Sequence, residues 1–313
     1  MTLAEYFHGK LYKNLFEKTW PLWLGGILVA FLNILMFLFL MPLGGIYPAI
    51  ADWGIWMYRL AGLNITPPWG TLTPPHLSII SILNFGLIFG TLISALLSRQ
   101  FKLRKDSTSG YIQGFAGGAL MGLGSFLVGA CIFGGFYSSI MSLSLSGLYM
   151  MTGLLAGAYF GGKFMIWQAF REAEKMEFTE LVDLKTVPEK KITRVVNYPL
   201  IGLVVAITMF IIASVYFVTG KYVLGGILLF GAAFGIVFQR SSFCISAGFR
   251  EVFTTKHNEP MRNLLLSLMI GTVGFAIIKA NGFRPADMFI LPAGMHSIIG
   301  GALFGFGMVM TGG

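Results

Sequence analysis

Residues 117–130 read GGALMGLGSFLVGA and residues 300–313 read GGALFGFGMVMTGG. Aligned without a gap at an offset of 183, the two stretches share Gly117, Gly118, Ala119, Leu120, Gly122, Gly124 and Gly129, seven of fourteen positions. A second pair, Leu24 to Leu28 and Leu224 to Leu228, repeats LGGIL in the same order within each half. Composition makes Gly-Gly matches cheap, so the second pair gains weight only from keeping that order. Self-similarity of this kind inside a long apolar chain is a mark of transporters built from repeated halves.

The surrounding chain is that of a membrane protein. Of 313 residues, 56% are hydrophobic and 11% charged, against roughly 25% charged in a soluble domain. With 41 glycines and a mean hydropathy of +0.77, disorder, a disulfide scaffold and a plain coiled coil are excluded. At about 20 residues per crossing, eight apolar runs qualify: Pro21 to Leu43, Leu77 to Leu97, Tyr111 to Ala130, Leu143 to Trp167, Tyr198 to Thr219, Tyr222 to Phe238, Asn263 to Ile278 and Ser297 to Met310. The start, residues 1–20, is amphipathic without a small-residue cleavage site and reads as an interfacial helix.

Charge then sets orientation. The net +9 comes from short loops rather than from a basic run with interleaved aromatics, which argues against nucleic acid. Lys10, Lys13 and Lys18, then Arg99, Lys102, Arg104 and Lys105, then the Arg171 to Arg194 linker, then Arg240, Arg250, Lys256 and Arg262 all fall on one side if the runs alternate from a cytoplasmic N-terminus. The other side carries Arg59 with Asp52, Lys221, Lys279, Arg284 and Asp287. This predicts an all-α polytopic protein of the inner membrane: a first repeat over 1–167 with four spans, a cytoplasmic linker over 168–197, a connecting span over 198–220, and a second repeat over 221–313. The odd span inverts the second half, so the expected class is an inverted-repeat transporter with glycine-broken and re-entrant helices.

Two features carry chemistry. Gly118-x3-Gly122 and Gly301-x3-Gly305 permit close helix packing whatever the function. The run Gly129-Ala130-Cys131-Ile132-Phe133-Gly134-Gly135 is a poor helix interior, since each Gly costs about 1 kcal/mol relative to Ala, and it predicts a helix that ends at membrane depth with Cys131 at the break. Cys244 follows a span within Arg240-Ser241-Ser242-Phe243-Cys244. The two cysteines are 113 residues apart without metal-ligand spacing, so no zinc site or disulfide follows, and no cofactor is implied. A lone cysteine in an apolar helix is usually a small buried hydrophobe; two at breaks of repeat-related segments suit an anion with a soft sulfur or selenium atom. Asn33, Asn84 and Gln113 are candidates for interhelical hydrogen bonds, and Arg240 is a candidate to attract an anion or to anchor the inner interface.

GGALMGLGSFLVGAC, RSSFCISAGFREVF and GGALFGFGMVMTGG together resemble the signature stretches of the YeeE/YedE membrane family, with the FRE sequence closer to its YedE branch. That family comprises thiosulfate-uptake proteins and related proteins assigned to selenium transport. The resemblance implies inverted halves forming an hourglass, with cysteines along the path. On it, Cys131 and Cys244 would hand the substrate on, with Gly129, Gly134, Gly312, Gly313, Ser242 and Arg240 lining the route, and a small cytoplasmic sulfur-carrier protein would be a partner. The family's third signature cysteine and the repeat partner of Cys131 both fall at position 314, and a ninth span equivalent to Leu143 to Trp167 is expected beyond it; a fragment end or an in-frame selenocysteine codon would each explain the stop. Two other functions compete at this stage: a membrane enzyme moving sulfur or selenium through a cysteine persulfide, and a structural subunit of a membrane complex.

Overall fold

The computed structural model describes residues 18–42, 44–63, 65, 72–101, 108–180 and 198–312, with the side chains of 172–180 excluded. Residues 1–17 of the expected interfacial helix over 1–20, most of the Arg171 to Arg194 linker, and Gly313 lie outside the described residues. Among those described, the protein is entirely helical. In order come α1 (Leu22–Phe39), α2 (Tyr47–Leu60), α3 (Ile79–Leu97), α4 (Thr108–Val128), a π-helix (Ile132–Ser138) continued by the short turn α5 (Ser139–Met141), α6 (Leu145–Glu180), α7 (Tyr198–Val218), α8 (Tyr222–Ser241), α9 (Ile245–Thr254), α10 (Glu259–Ala280) and α11 (Met295–Met310).

Six of these stretches are long and apolar enough to cross a membrane: α1, α3, α4, α7, α8 with α9, and α10. This is a polytopic membrane protein. Two other expected spans form helices of different character. Glycine and tyrosine dilute the apolar stretch of α6, which continues to Glu180 through the first residues of the expected linker. The other, α11, is apolar but only 16 residues long. Its residues Phe304, Met308 and Val309 are buried, as is appropriate for a helix enclosed by neighbours rather than by lipid.

Glycine sets how these helices meet. In each of two parallel pairs, small residues four apart on both partners let the backbones touch. Gly86 and Gly90 of α3 lie on the backbone of Leu228 and Ala232, while Gly231 and Gly235 of α8 lie on that of Leu83 and Leu87. Gly153 and Gly157 of α6 similarly meet Ile298 and Ala302 of α11, whose Gly301 and Gly305 meet Met150 and Leu154. A methyl group at any of these eight positions would run into main chain. A third parallel pair, α1 with α10, brings Gly26 to Asn263 and stacks Phe37 on Phe275 with centroids 4.2 Å apart.

Helices α4 and α11 run antiparallel, and their contacts are reciprocal. An added Cβ on Gly117 would lie 2.7 Å from the carbonyl oxygen of Gly307, and one on Gly307 would lie 2.5 Å from that of Gly117. Gly124 and Gly300 behave the same way, at 2.5 and 2.7 Å. At the offset of 183, Gly117 corresponds to Gly300 and Gly124 to Gly307. Each repeat position therefore meets the partner of the position that meets its own partner, the pattern of a two-fold relation.

Candidate functional site

Many of the helix ends carry a residue at positive φ; those that bear on the cysteines are Gly45 (φ 95°) between α1 and α2, Gly129 (φ 76°) after α4 and Ser242 (φ 53°) after α8, and Gly312 (φ 80°) follows α11. Serine at such a φ is uncommon and costs about 1–2 kcal/mol, so the tertiary structure holds Ser242 there. Two residues after Gly129 and Ser242 stands a cysteine, and each cysteine is the N-cap of the helix that follows: Cys131 of the π-helix and Cys244 of α9. The break read from the glycine run lies where the sequence places it.

An N-cap side chain ordinarily accepts from the first turn of its helix. Neither thiol makes such a bond, and neither is in a disulfide. Both sulfurs remain available at a helix start, where unpaired backbone N–H groups and the macrodipole favour negative charge. Cys131 is buried and Cys244 half-buried.

Around Cys131 the packing is backbone against backbone. Gly45 stands so close that a Cβ there would be 2.0 Å from the Cys131 Sγ, and a Cβ on Gly134 would meet the carbonyl of Gly44. Beside this crossing lies a cavity of about 160 Å³ bounded by Met41, Gly44, Gly45, Pro48, Gly129 and Ala130 among others. At about 30 Å³ per water it holds a handful of non-hydrogen atoms. Nearby, Asn84 in the second turn of α3 donates to the carbonyl of Ile46 at 3.2 Å.

The π-helix is tied down on several sides. Tyr137 Oη and Ser267 Oγ are 2.5 Å apart, and Ser267 donates to the carbonyl of Gly26 at 2.7 Å. Asn33 Nδ2 donates to Ser138 Oγ at 3.2 Å and reaches Met141 Sδ at 3.3 Å. Phe136 meets Phe249 of α9 edge to face at 5.2 Å, and Phe133 lies 5.3 Å from Phe238 of α8. The two helices headed by cysteines thus touch through one aromatic pair. On the Cys244 side, Phe243 packs on Gly25 and Gly26, which gives the LGGIL motif of α1 a packing role.

Arg240, in the last turn of α8, is 1% exposed. One guanidinium nitrogen donates to the carbonyl of Lys18, while Nε and the other nitrogen, Nη1, have no hydrogen-bond partner. Arg250 donates to the carbonyl of Gly312 and lies 3.7 Å from Glu251.

Of the residues singled out in the sequence, Gly129, Cys131 and Gly134 form one cluster, which the structure completes with Gly45, and Ser242 with Cys244 and Arg240 lie together along the chain. Gly134 serves packing, and the carbonyl of Gly312 is taken by Arg250. Asn33 and Asn84 make interhelical bonds as expected. Gln113 does not: it donates to Ser109 on its own helix at 3.3 Å. The sequence reading missed Gly45, although Pro42-Leu43-Gly44-Gly45 after an apolar run carries the same glycine signal as Gly129. It also missed the Tyr137–Ser267 link, for which no periodic signal exists. Among the described residues no group of three or more His, Cys, Asp or Glu could hold a metal ion.

A family model described as sulphur transport matches residues 4–160 and 240–313. The probable transporter YedE of Escherichia coli K12 is 26% identical over 274 residues, covering 83% of this chain and 65% of that protein. The YedE of Salmonella typhimurium LT2 is 25% identical over 268 residues with the same coverage. The thiosulfate transporter TsuA of Escherichia coli K12 is 38% identical over 87 residues, covering 28% of this chain and 24% of that protein. The chain therefore spans about two thirds of the length of the YedE relatives, 65% in each case. No solved structure matches it.

Proposed function

The chain belongs to the sulphur-transport family, and from that premise we propose that it carries a small sulfur- or selenium-containing anion of the thiosulfate type into the cell, past Cys131 and then Cys244. The observation that carries this reading is the pair of helix breaks, each headed by a thiol with no capping bond, one beside a cavity of about 160 Å³. A thiol offers a weak S–H donor and a polarisable sulfur to a soft anion, and the helix starts add positive partial charge. The thiosulfate transporters among the relatives support the substrate class.

The architecture behind this proposal is an inverted repeat in the inner membrane with the N-terminus in the cytoplasm. The reciprocal contacts of α4 and α11 support it, as do the pairings α3 with α8 and α1 with α10, which exchange under the same relation. On this reading α2 corresponds to α9 and α7 is the odd helix. Arg240 attracts the anion at the cytoplasmic end, where two of its guanidinium nitrogens have no protein hydrogen-bond partner. A small sulfur-carrier protein at the cytoplasmic loops would take the product onward.

Uptake of radiolabelled thiosulfate in cells lacking other routes tests the proposal. Cys131→Ala and Cys244→Ala each abolish uptake at unchanged protein levels if it holds. Full uptake in both variants overturns it.

A further inference from the structure

The connection from α10 to α11, residues 281–294, is tied down on both sides of a pair of turns. Arg284 Nε donates to the carbonyls of Phe37 and Leu38 at 3.1 and 3.2 Å, acceptors that the end of α1 leaves without an intrahelical partner. Further on, Ser144 Oγ donates to the carbonyl of Leu291 at 3.5 Å. Between these ties the N–H of Met288 donates to the carbonyl of Pro285 and that of Ile290 to the carbonyl of Asp287. In the second of these turns Phe289 takes a φ of 63°, at a position that ordinarily holds Gly or Asn when φ is positive. A bulky side chain there is an outlier. Among the described residues, four of the five non-glycine positions with positive φ, Arg99, Leu143, Ser242 and Lys256, stand within two residues of a helix end, where that conformation is a common termination. Phe289 is the exception, an aromatic ring held against its backbone preference in the middle of a connection.

The surroundings of the ring say what it is held for. Phe289 and Leu291 line the cavity of about 160 Å³ beside Cys131, together with Gly44, Gly45, Ile80 and Ala130 among others. A Cβ on Gly44 would lie 4.0 Å from the Phe289 Cε2, so the half-buried ring rests against the backbone corner whose carbonyl Gly134 approaches. Every side chain on the cavity wall is apolar, and an anion placed there with the ring in position would be desolvated without a partner. The connection lies on the side that the charge pattern assigns to the outside. We propose that Phe289 is the movable stopper of the outer entrance to the cavity beside Cys131. With φ positive the ring closes the cavity, and return of this residue to the extended region swings the ring out, the ties at Arg284 and Leu291 confining the movement to the turn between them. Packing of the ring favours the closed form and relief of the backbone favours the open one, the kind of opposed pair from which two-state elements at functional sites are built, so a small anion can shift the balance by binding where the ring was. The inference deepens the transport reading above, on which the side and the route rest.

The test reads access rather than uptake. Ile80→Cys, on another wall of the cavity, is the reporter in a chain that also carries Cys131→Ser and Cys244→Ser, and a membrane-impermeant anionic methanethiosulfonate is added to right-side-out vesicles. Phe289→Ala raises the modification rate at least tenfold over this background, and Arg284→Gln, which frees the turn from α1, raises it at least threefold. Phe289→Tyr keeps the ring and the background rate, as does Ile290→Ala at the exposed neighbouring residue. Fluorescence-detected size exclusion confirms that each variant folds. An unchanged rate in Phe289→Ala, an equal rise in Ile290→Ala, or a rise seen only in inside-out vesicles would each overturn the inference. Thiosulfate is not followed in this assay, so a chain that takes up none leaves the access result standing, and the two proposals fail separately.

Discussion

Gly45→Ala is the most revealing single change, because it asks for only one methyl group. The new Cβ would sit 2.0 Å from the Cys131 Sγ, 3.4 Å from the Cys131 Cβ and 3.6 Å from the Gly134 nitrogen. Non-bonded heavy atoms rest at about 3.5–4.0 Å, so only the sulfur is seriously in the way and it must retreat by roughly 1.5–2 Å. The φ of 95° adds the penalty of an L-residue in left-handed space, about 1–2 kcal/mol, and overpacking adds about 1–3 kcal/mol. The expected destabilisation is about 2–5 kcal/mol, with the thiol displaced from its position against Gly45. Thermal unfolding followed by size exclusion reads the first, and the alkylation rate of Cys131 in a Cys244→Ser background reads the second. A cycle with Cys131→Ala separates the causes: removing the sulfur abolishes the steric share, leaving only the backbone share of about 1–2 kcal/mol. Were Gly45→Ala to unfold at the parent temperature and alkylate at the parent rate, the proximity of the two breaks would be refuted.

Four further outcomes are expected. Arg240→Met lowers thiosulfate uptake while leaving stability unchanged or raising it, since a buried guanidinium with unpaired N–H groups gains from an apolar replacement of similar length; a fall in stability with full uptake would mark a mere anchor. Asn33→Leu removes the donor to Ser138 and costs about 1–3 kcal/mol in thermal unfolding. Ser242→Gly stays within about 1 kcal/mol of the parent, the relieved φ offsetting the added chain entropy, whereas Ser242→Val, branched at Cβ, unfolds at a clearly lower temperature. Gly301→Ile blocks the seat of α6 on α11 and prevents folding, but Gly118→Ile, at the corresponding position of α4, where an added Cβ would meet nothing within 4 Å, leaves the melting temperature of the 1–313 chain unchanged.

Long apolar runs and glycine punctuation made the main helices legible, because both act locally. The end of α4 at Val128 is an example: Gly129 at positive φ and a poor helical run after it are written in adjacent residues. The short elements between the long helices were less visible. Helix α2 contains Asp52, Arg59 and two tryptophans, so it reads as a loop, yet Trp53 donates to Ser81 at 3.0 Å and fixes it against α3. Helix α9, at ten residues, is too short to register as a crossing. Gly45 beside Cys131 joins positions 86 apart, and nothing in either neighbourhood announces the other. The glycine rows announced close packing but not the partner, which is why only the structure separates the filled row of α11 from the open row of α4.

The segment after Cys131 is wound as a π-helix, seven residues in a form that is rare and mostly confined to single turns. Its wider coil is equivalent to an α-helix with a residue inserted, so removal of Gly134 or Gly135 would let the remainder rewind into the commoner form. Each residue of an α-helix turns the chain by about 100°. Such a deletion would therefore rotate one end of the segment against the other, and the phenol of Tyr137 could no longer face Ser267 while Cys131 kept its seat against Gly45. Both ends are pinned, one by a sulfur against a backbone and the other by a hydroxyl pair. Length in this stretch is consequently fixed to the single residue, and insertions or deletions here should be purged by selection even where side-chain identity drifts.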